Sequence, residues 1–402
     1  MKLGVLGGSF NPFHLGHLSL AEKAYSALNL DRLVFVPAYR SPFKTQGGCA
    51  ASCEQDVSDN SKDRLDMLAA AIIGDTRFAI DSCEIKRQGV SYTVDTLVDI
   101  IDRYLPEGKP VLIIGDDVAA DFLKWRESGK ILEMADIAVA RRINSAAVEY
   151  PFPHILIEND VMEVSSKDIR QKIKAFDSSK DWQSLIHPRT RAIIQDRQLY
   201  GFKSDKNNQF DDKSPSESDI TRVEAAARET LSMDRFVHSR NTALHAYDMC
   251  RRLGLDPQAG YLAGIAHDLA KQLDNKQMLK IINNEGIKIT AMEMDKPNLL
   301  HGKAAAVLLR DRFCIHNKDV LEAVAYHTSG SENMGQLAKV IYIADKTDST
   351  RKIEPALRKM CVKADLDTIL FAVLEKTIHK IKAKDLDISE DTLKLLNKIK
   401  GK

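Results

Sequence analysis

The sequence predicts an α/β chain of two domains, a parallel-sheet domain in front and an all-α domain behind. Three observations carry this. Short apolar runs alternate with helix-like segments through the first half, the pattern of strands laid parallel beneath crossover helices. Between Lys203 and Asp219 that pattern stops in a polar, turn-rich stretch, which reads as a linker. Behind it strand patterns are scarce and helical periodicity takes over. At 402 residues the chain exceeds one ordinary domain, and each half is long enough to bury its own core. The expected division is 1–203, a linker over 204–218, and 219–402.

Taken in order, Lys2–Leu6 forms an apolar strand and Leu15–Leu28 a helix with Leu18, Ala21 and Tyr25 on one face. Leu33–Pro37 is the second strand, Lys62–Ile73 a helix, and Arg77–Ile80 strand-like. Thr93–Tyr104 is helical and leads to the strand Val111–Ile114; Ile131–Met134 precedes the strand Ile137–Ala140. The stretch Gln46–Ser61 is polar and reads as a surface loop. In the second half, Arg222–Leu231, Thr242–Leu253, Gln258–His267, Lys276–Glu285, Gly302–Asp311, Asp319–His327, Leu337–Asp345 and Leu366–Lys382 read as helices. No internal repeat relates the halves.

Composition narrows the class. Hydrophobic residues make up 44% of the chain, as in a soluble globular protein. Lysine and arginine exceed aspartate and glutamate by one, 58 to 57, so the net charge is +1. No broad attraction to nucleic acid follows. No apolar run approaches the ~20 residues that span a bilayer. Met1–Phe10 lacks the basic flank, apolar stretch and cleavage site of a secretion signal. A cytoplasmic chain with no nucleic-acid or membrane partner is expected, and a homo-oligomeric state is left open. Cys49, Cys53, Cys83, Cys250, Cys314 and Cys361 are scattered and read as reduced thiols rather than a zinc site.

The most informative stretch is Gly7-Gly8-Ser9-Phe10-Asn11-Pro12-Phe13-His14-Leu15-Gly16-His17. It follows a strand and opens a helix. Glycines at such a turn let the backbone approach a ligand, and a helix N-terminus favours phosphate. His14 and His17 are three apart, so both can face one side and donate to a phosphoryl group as its charge redistributes.

This stretch resembles the His-x-Gly-His signature of the nucleotidylyltransferase superfamily, whose fold is Rossmann-like. Three further segments resemble nicotinate-mononucleotide adenylyltransferases within it: Ser91–Leu97, Val36-Pro37 with Pro42-Phe43-Lys44, and Ile114–Asp117 followed by Trp125; Val164–Arg170 resembles the superfamily's second phosphate motif. The resemblance covers about residues 1–202 in order; the long Gln46–Ser61 loop departs from it. It implies that the phosphate of nicotinate mononucleotide attacks the α-phosphorus of ATP and pyrophosphate leaves, chemistry that needs alignment and charge stabilisation more than a protein nucleophile. His14 and His17 would act on the phosphates. Gly7, Gly8, Ser9, Lys44, Ser165, Ser166 and Arg170 would hold ATP and its phosphate chain, and Mg²⁺ would ride on the substrate phosphates. Trp125 would stack on the pyridine ring, Thr93 would reach its substituent, and Asp116 would meet a ribose or metal. A core tryptophan and a structural carboxylate at a strand end are the alternatives for Trp125 and Asp116. Another nucleotidylyltransferase, such as a pantetheine-phosphate adenylyltransferase, is the alternative for the whole half, and Ser91–Leu97 argues against it.

The second half carries His238, His267-Asp268, His301, His327 and Asp345, each in or beside a predicted helix. Adjacent His and Asp on one helix point about 100° apart around its axis, so both can reach one metal. Imidazole with carboxylate and no thiolate suits Fe, Mn or Zn. This half resembles the HD superfamily through His238, His267-Asp268 and Asp345. It is more closely similar to the symmetrical diadenosine-tetraphosphate hydrolases through Arg235–Ser239, Ala263–Lys271, His327–Gly330 and Ile343–Lys346 with Arg351. The resemblance covers about residues 222–390. It implies hydrolysis of diadenosine tetraphosphate to two ADP at an iron or manganese site held by His238, His267, Asp268 and Asp345, with Asp268 central. Arg235, Lys271, Thr328 and Arg351 would meet the phosphates. His301 and His327 would hold a second metal or donate to phosphate, the latter being favoured. Surface cations are the plain alternative for Arg235, Lys271 and Arg351. Rival readings are a deoxynucleotide or guanosine-tetraphosphate phosphohydrolase, and a regulatory module that binds nucleotides without turnover.

Overall fold

The computed structural model describes residues 1–42, 60–141, 149–158, 164–175, 181–202 and 218–400. It divides into two compact units, Met1–Lys213 and Ser214–Lys402. The linker expected over 204–218 lies outside the described residues except for Ser218, which caps the first helix of the second unit. Lys44, Cys49, Cys53 and almost all of the loop expected over Gln46–Ser61 also lie outside them. Ser61 itself opens a helix, Ser61–Ala71. No helix among the described residues is long and apolar enough to cross a membrane. Cys83, Cys250, Cys314 and Cys361 are free thiols.

The first unit is a six-stranded parallel sheet built from β1 (Leu3–Gly8), β2 (Arg32–Pro37), β3 (Phe78–Ile80), β4 (Val111–Gly115), β5 (Asp136–Ala140) and β6 (Ile155–Ile157), in the order β3-β2-β1-β4-β5-β6. Apolar strands such as Leu-Val-Phe-Val in β2 are buried throughout, as a sheet covered on both faces demands. β1 pairs with β2 through Val5 and Val34 and with β4 through Leu6 and Ile113. The strand order therefore reverses between β1 and β4, and a doubly wound sheet offers its ligand crevice at the carboxyl ends of the strands flanking that point. β6 was not expected. It has three residues, with Ile155 and Leu156 exposed at the sheet edge.

The second unit is helical among its described residues. Its frame is Asp219–Thr230, Met233–Leu253, Pro257–Ala266, His301–Phe313, Lys318–Tyr326 and Gln336–Thr347. The second of these starts at Met233, well before the expected Thr242, and so carries Arg235 and His238. It ends at Gly254 in the left-handed region, and Asp256 with Pro257 starts the next helix, a common stop-and-start pair. That next helix stops at Ala266, so His267 caps it and Asp268 lies in the turn beyond. The two were expected on one helix; the helix end presents them instead. Pro355–Lys363 and Glu390–Lys400 are helices that the periodicity did not reveal.

One contact fixes the height of this site. A Cβ added at Gly264 would lie 2.5 Å from Cα and 2.9 Å from the backbone nitrogen of Ala243. Backbone cannot yield as a flexible side chain can, so the Met233–Leu253 and Pro257–Ala266 helices approach this closely only with glycine there. We expect Gly264→Ala to destabilise the second unit by about 1–3 kcal/mol through overpacking, against a helix-propensity gain of about 1 kcal/mol. Calorimetry of the whole chain should show the second unit's transition lowered and the first unit's unmoved. An unshifted thermogram would mean that the helices have room to separate.

Candidate active sites

In the first unit the crevice at the strand switch is a cavity of about 510 Å³. Gly7 and Gly8 at the end of β1, Ser9, His14, His17, Thr93, Trp125, Ser166 and Arg170 line it. The two histidines open the helix Leu15–Ala27 as a reciprocal cap. Their rings stack with centroids 3.7 Å apart. The His14 backbone N–H donates to His17 Nδ1 at 3.2 Å, so a neutral His17 carries its proton on Nε2. Gly16 is needed between them, since a Cβ there would lie 2.7 Å from Val164 and 3.1 Å from the His14 ring.

The loop before this helix is braced from behind. Arg170 Nη1 donates to the Asn11 carbonyl at 2.6 Å, Ser166 Oγ to the Pro12 carbonyl at 3.0 Å, and Arg64 Nη1 to the Ser9 carbonyl at 2.6 Å. Ser165, expected on the phosphates, instead caps the Ser166–Lys174 helix. It accepts from the Asp168 backbone N–H at 3.1 Å, and its hydroxyl donates to the Asp168 carboxylate at 2.6 Å. Asp116 also departs from expectation, because the side chain lining the cavity beyond β4 is that of Asp117. Trp125 is partly exposed, borders the cavity and leans on Phe122 with ring centroids 5.3 Å apart, so it is not a core tryptophan. Thr93 is the first residue of the Thr93–Tyr104 helix, whose N-terminal dipole favours an anion.

Sequence reasoning missed Glu84, Asp117, Arg141 and Lys167 on the cavity wall. Burial pushes the Glu84 carboxyl up, against hydrogen bonds from Thr96 and Ser91 that pull it down. Thr96 Oγ1 donates to it at 2.5 Å. Asp117 and Lys167 sat inside quoted segments, Ile114–Asp117 and Val164–Arg170; Glu84 and Arg141 carried no local signal.

In the second unit six side chains converge. Ligand atoms of His238, His267 and Asp268 lie within 4.8 Å of one another, as do those of Asp268, His301 and His327. Asp268 belongs to both groups. Its Oδ2 lies 3.4 Å from His267 Nε2, and its Oδ1 lies 3.2 Å from His301 Nε2 and 3.9 Å from His327 Nε2. Asp345 Oδ1 lies 3.1 Å from His238 Nε2 and 3.7 Å from His267 Nε2.

The backs of these rings decide what the fronts can do. His267 Nδ1 lies 2.7 Å from the Gly264 carbonyl, His301 Nδ1 2.7 Å from the Asn298 carbonyl, and His327 Nδ1 2.8 Å from the Val324 carbonyl. A carbonyl only accepts, so each Nδ1 carries the proton and donates it. His238 Nδ1 faces the Asp348 carboxylate at 3.1 Å. In their neutral forms all four rings therefore turn an Nε2 lone pair into the cluster, the arrangement by which outer partners orient metal-ligating imidazoles. His267 Nε2 is buried and makes no hydrogen bond. The residues present thus fit a divalent metal. His238, His267, Asp268 and Asp345 would form one set, and His301 and His327 with Asp268 a second. His301 and His327 are both 2% exposed, and their Nε2 atoms meet 3.0 Å apart beside the same carboxylate, a placement that suits the second-metal alternative as well as the phosphate role.

Charge follows the same pattern. Burial alone would raise Asp268, but His267, His301 and His327 hold its carboxyl far below the usual range. Burial would raise Asp345 too, and Lys346, His238 and His267 hold it well below. Burial, with His267 and His301 beside it, pushes His327 well below its usual value. Burial lowers His238, but Asp345 and Asp348 outweigh it and hold it at about 9. Arg235 Nη1 pairs with Asp268 Oδ2 at 2.9 Å and Arg351 Nη2 with Asp345 Oδ1 at 2.8 Å. Lys271 Nζ lies 3.2 Å from His301 Nε2 and Thr328 Oγ1 3.3 Å from it. The expected phosphate contacts therefore ring the cluster, with both arginines held by its carboxylates. Asp348, fully buried, was missed because it stands outside every segment singled out from the sequence.

Comparison with known proteins finds relatives of both halves. Residues 5–172 match the cytidylyltransferase-like family model, and residues 235–350 match the HD domain. A probable nicotinate-nucleotide adenylyltransferase of Borreliella afzelii is 35% identical over 173 residues, covering 43% of this chain and 84% of that protein. One of Treponema pallidum is 34% identical over 214 residues, covering 50% of this chain and 99% of that protein. A crystal structure of a predicted HD superfamily hydrolase involved in NAD metabolism, from Clostridium acetobutylicum, is 28% identical. It covers 45% of this chain and 96% of its own, with a TM-score of 0.43. The chain belongs, through its first half, to the nicotinate-nucleotide adenylyltransferases, and carries an HD domain in its second.

Proposed function

We propose that the first half joins ATP to nicotinate mononucleotide, and that the second half hydrolyses diadenosine tetraphosphate to two ADP. In the first reaction a phosphate oxygen of nicotinate mononucleotide attacks the α-phosphorus of ATP. The bond from that phosphorus to the α–β bridging oxygen breaks, and pyrophosphate leaves. The stacked pair His14 and His17 at a helix start supports this reading above all. His17 Nε2–H would donate to the phosphoryl oxygens as charge moves onto the leaving group, with Arg170 countering the charge of the phosphate chain. Trp125 would stack on the pyridine ring. The helix start at Thr93 would receive the ring carboxylate, giving nicotinate the advantage over nicotinamide. Mg²⁺ would arrive with the nucleotide.

In the second half the reading rests on Asp268 shared between two histidine sets. A bound metal, iron or manganese as the family resemblance implies, would lower the pKa of water and polarise a phosphoryl oxygen. This chain's own part is to orient the four Nε2 lone pairs and keep both carboxylates ionised. Arg235, Lys271 and Arg351 would meet the polyphosphate where it reaches the rim. Incubating the purified chain with ATP and nicotinate mononucleotide, and separately with diadenosine tetraphosphate, dGTP and guanosine tetraphosphate, tests both halves. Release of ADP alone from diadenosine tetraphosphate is expected; turnover of the other nucleotides in its place would reassign the HD half.

His17→Ala should lower adenylyl transfer by about two to three powers of ten, the usual cost of one lost transition-state donor, and leave hydrolysis intact. A folded His17→Ala chain that transfers at the wild-type rate would remove that role. Asp268→Ala should abolish hydrolysis and strip bound metal, since neutral imidazoles cannot replace the lost charge, while adenylyl transfer persists. Metal content, melting temperature and both activities measured on one preparation decide this. A mutant with lowered melting temperature but full metal and full hydrolysis would make Asp268 a structural residue.

A further inference from the structure

Arg64 lies in the helix Ser61–Ala71, behind the loop that leads from β1 to His14. It is 3% exposed and does not border the cavity. Its Nη1 holds the Ser9 carbonyl at 2.6 Å. Its Nη2 is buried and makes no hydrogen bond. Burial pushes its pKa down, and Tyr200 and Glu84 draw it partly back. The acids on its own helix are engaged elsewhere, Asp63 and Asp66 both pairing with Arg197. A guanidinium does not lose its proton in proteins, so a full positive charge sits buried here with no carboxylate bonded to it among the described residues. A buried charge without a partner is costly, and the chain keeps this one directly behind its phosphate loop.

The surrounding bonds explain how it can act through that loop. Asn60 Nδ2 and Tyr200 Oη both donate to Asn11 Oδ1, at 3.1 and 2.6 Å. Arg64, Arg170 and Ser166 hold the carbonyls of Ser9, Asn11 and Pro12. A carbonyl oxygen aimed at a phosphate would repel it, and these three bonds engage three of the loop's carbonyls away from any anion. Phe10 takes a positive φ of 49° between the tied residues.

We infer that Arg64 is the positioning residue of the triphosphate subsite, fixing the Ser9 carbonyl and supplying from behind the loop the positive charge that the leaving pyrophosphate meets. This rests on the adenylyl-transfer reading of the first half. Direct binding of inorganic pyrophosphate to the whole chain, followed by calorimetric titration, tests it with Arg64→Gln and Arg64→Lys. Glutamine keeps a donor for Ser9 but no charge; lysine keeps the charge. Arg64→Gln should weaken pyrophosphate about tenfold or more and raise the KM for ATP alike, with the KM for nicotinate mononucleotide within about twofold. Arg64→Lys should restore pyrophosphate affinity to within about threefold. Wild-type affinity in the glutamine variant, or equal loss in both, would overturn the assignment. So would parallel loss of nicotinate mononucleotide binding, which marks general damage. If Arg64→Gln does not fold, Arg64→Lys decides alone, a tenfold loss overturning the proposal. A wild-type chain that bound no pyrophosphate would overturn the adenylyl-transfer reading as well.

Discussion

A carboxylate taken out of water stays ionised only if fixed partners hold it, and the architecture of the second half answers that demand at Asp268. Three of the imidazoles around it occupy the same local position. His267 caps the Pro257–Ala266 helix, His301 the short 3₁₀ turn Pro297–Leu300, and His327 the Lys318–Tyr326 helix. The last carbonyls of a helix have no partner inside it, and each of these rings satisfies one with its Nδ1, three residues back. One hydrogen bond thus finishes the helix and fixes the tautomer. Three helix ends must meet at one point for this to work. The close approach at Gly264 and the buried set Arg240, Glu224 and Tyr261, which ties the first three helices of the unit together, hold the frame that brings them there.

The first half solves a related problem with different means. Its ligands carry their own negative charge, so the site needs donors and exposed backbone rather than acids. The strand switch between β1 and β4 opens the crevice, the loop from Gly7 to His14 approaches the ligand, and cations sit behind the loop or at its side. On that wall the Glu84 carboxyl is buried and drawn toward its neutral form, which weakens its opposition to the phosphates. In the HD half the acids carry the site and the cations ring it; in the first half the order is inverted.

What the sequence made legible follows from how local each signal is. The strand–helix alternation and the His14–His17 pair depend on near neighbours in the chain, and the HD residues stand in short segments whose order along the chain is itself a signal, so all three could be read directly. The start of the Met233–Leu253 helix was hidden because its first turns carry Arg235, His238, Arg240 and Asn241, polar residues that break an apolar stripe. Their side chains are nonetheless mostly buried, since they face other polar groups inside the unit. β6 was too short to show a period. Arg64, Glu84 and Asp348 were invisible for another reason: each acts on a segment distant in sequence, and an isolated charged residue gives no sign of its partner. Asp117 replaced Asp116 on the cavity wall because adjacent residues at a helix start point in different directions, a distinction that motif likeness does not carry.

The two proposed reactions place opposite demands on water, and this bears on why the chain would keep two sites. Adenylyl transfer gains from a phosphate nucleophile only if water does not reach the α-phosphorus first. The cavity of the first half is walled by side chains such as Leu6, Leu97, Ile113 and Trp125, which suits exclusion. Hydrolysis under the proposed reading needs the reverse, a water delivered to a phosphoanhydride and activated there. No single pocket can be dry for one phosphoanhydride and wet for another. Each residue named for either site accordingly falls inside its own compact unit, Met1–Lys213 or Ser214–Lys402. The stacked histidines, Arg170 and the helix start at Thr93 stand in one unit, and the oriented imidazoles with two carboxylates in the other. A fusion of this kind requires no residue to serve two masters, and so no compromise between dryness and access in either half.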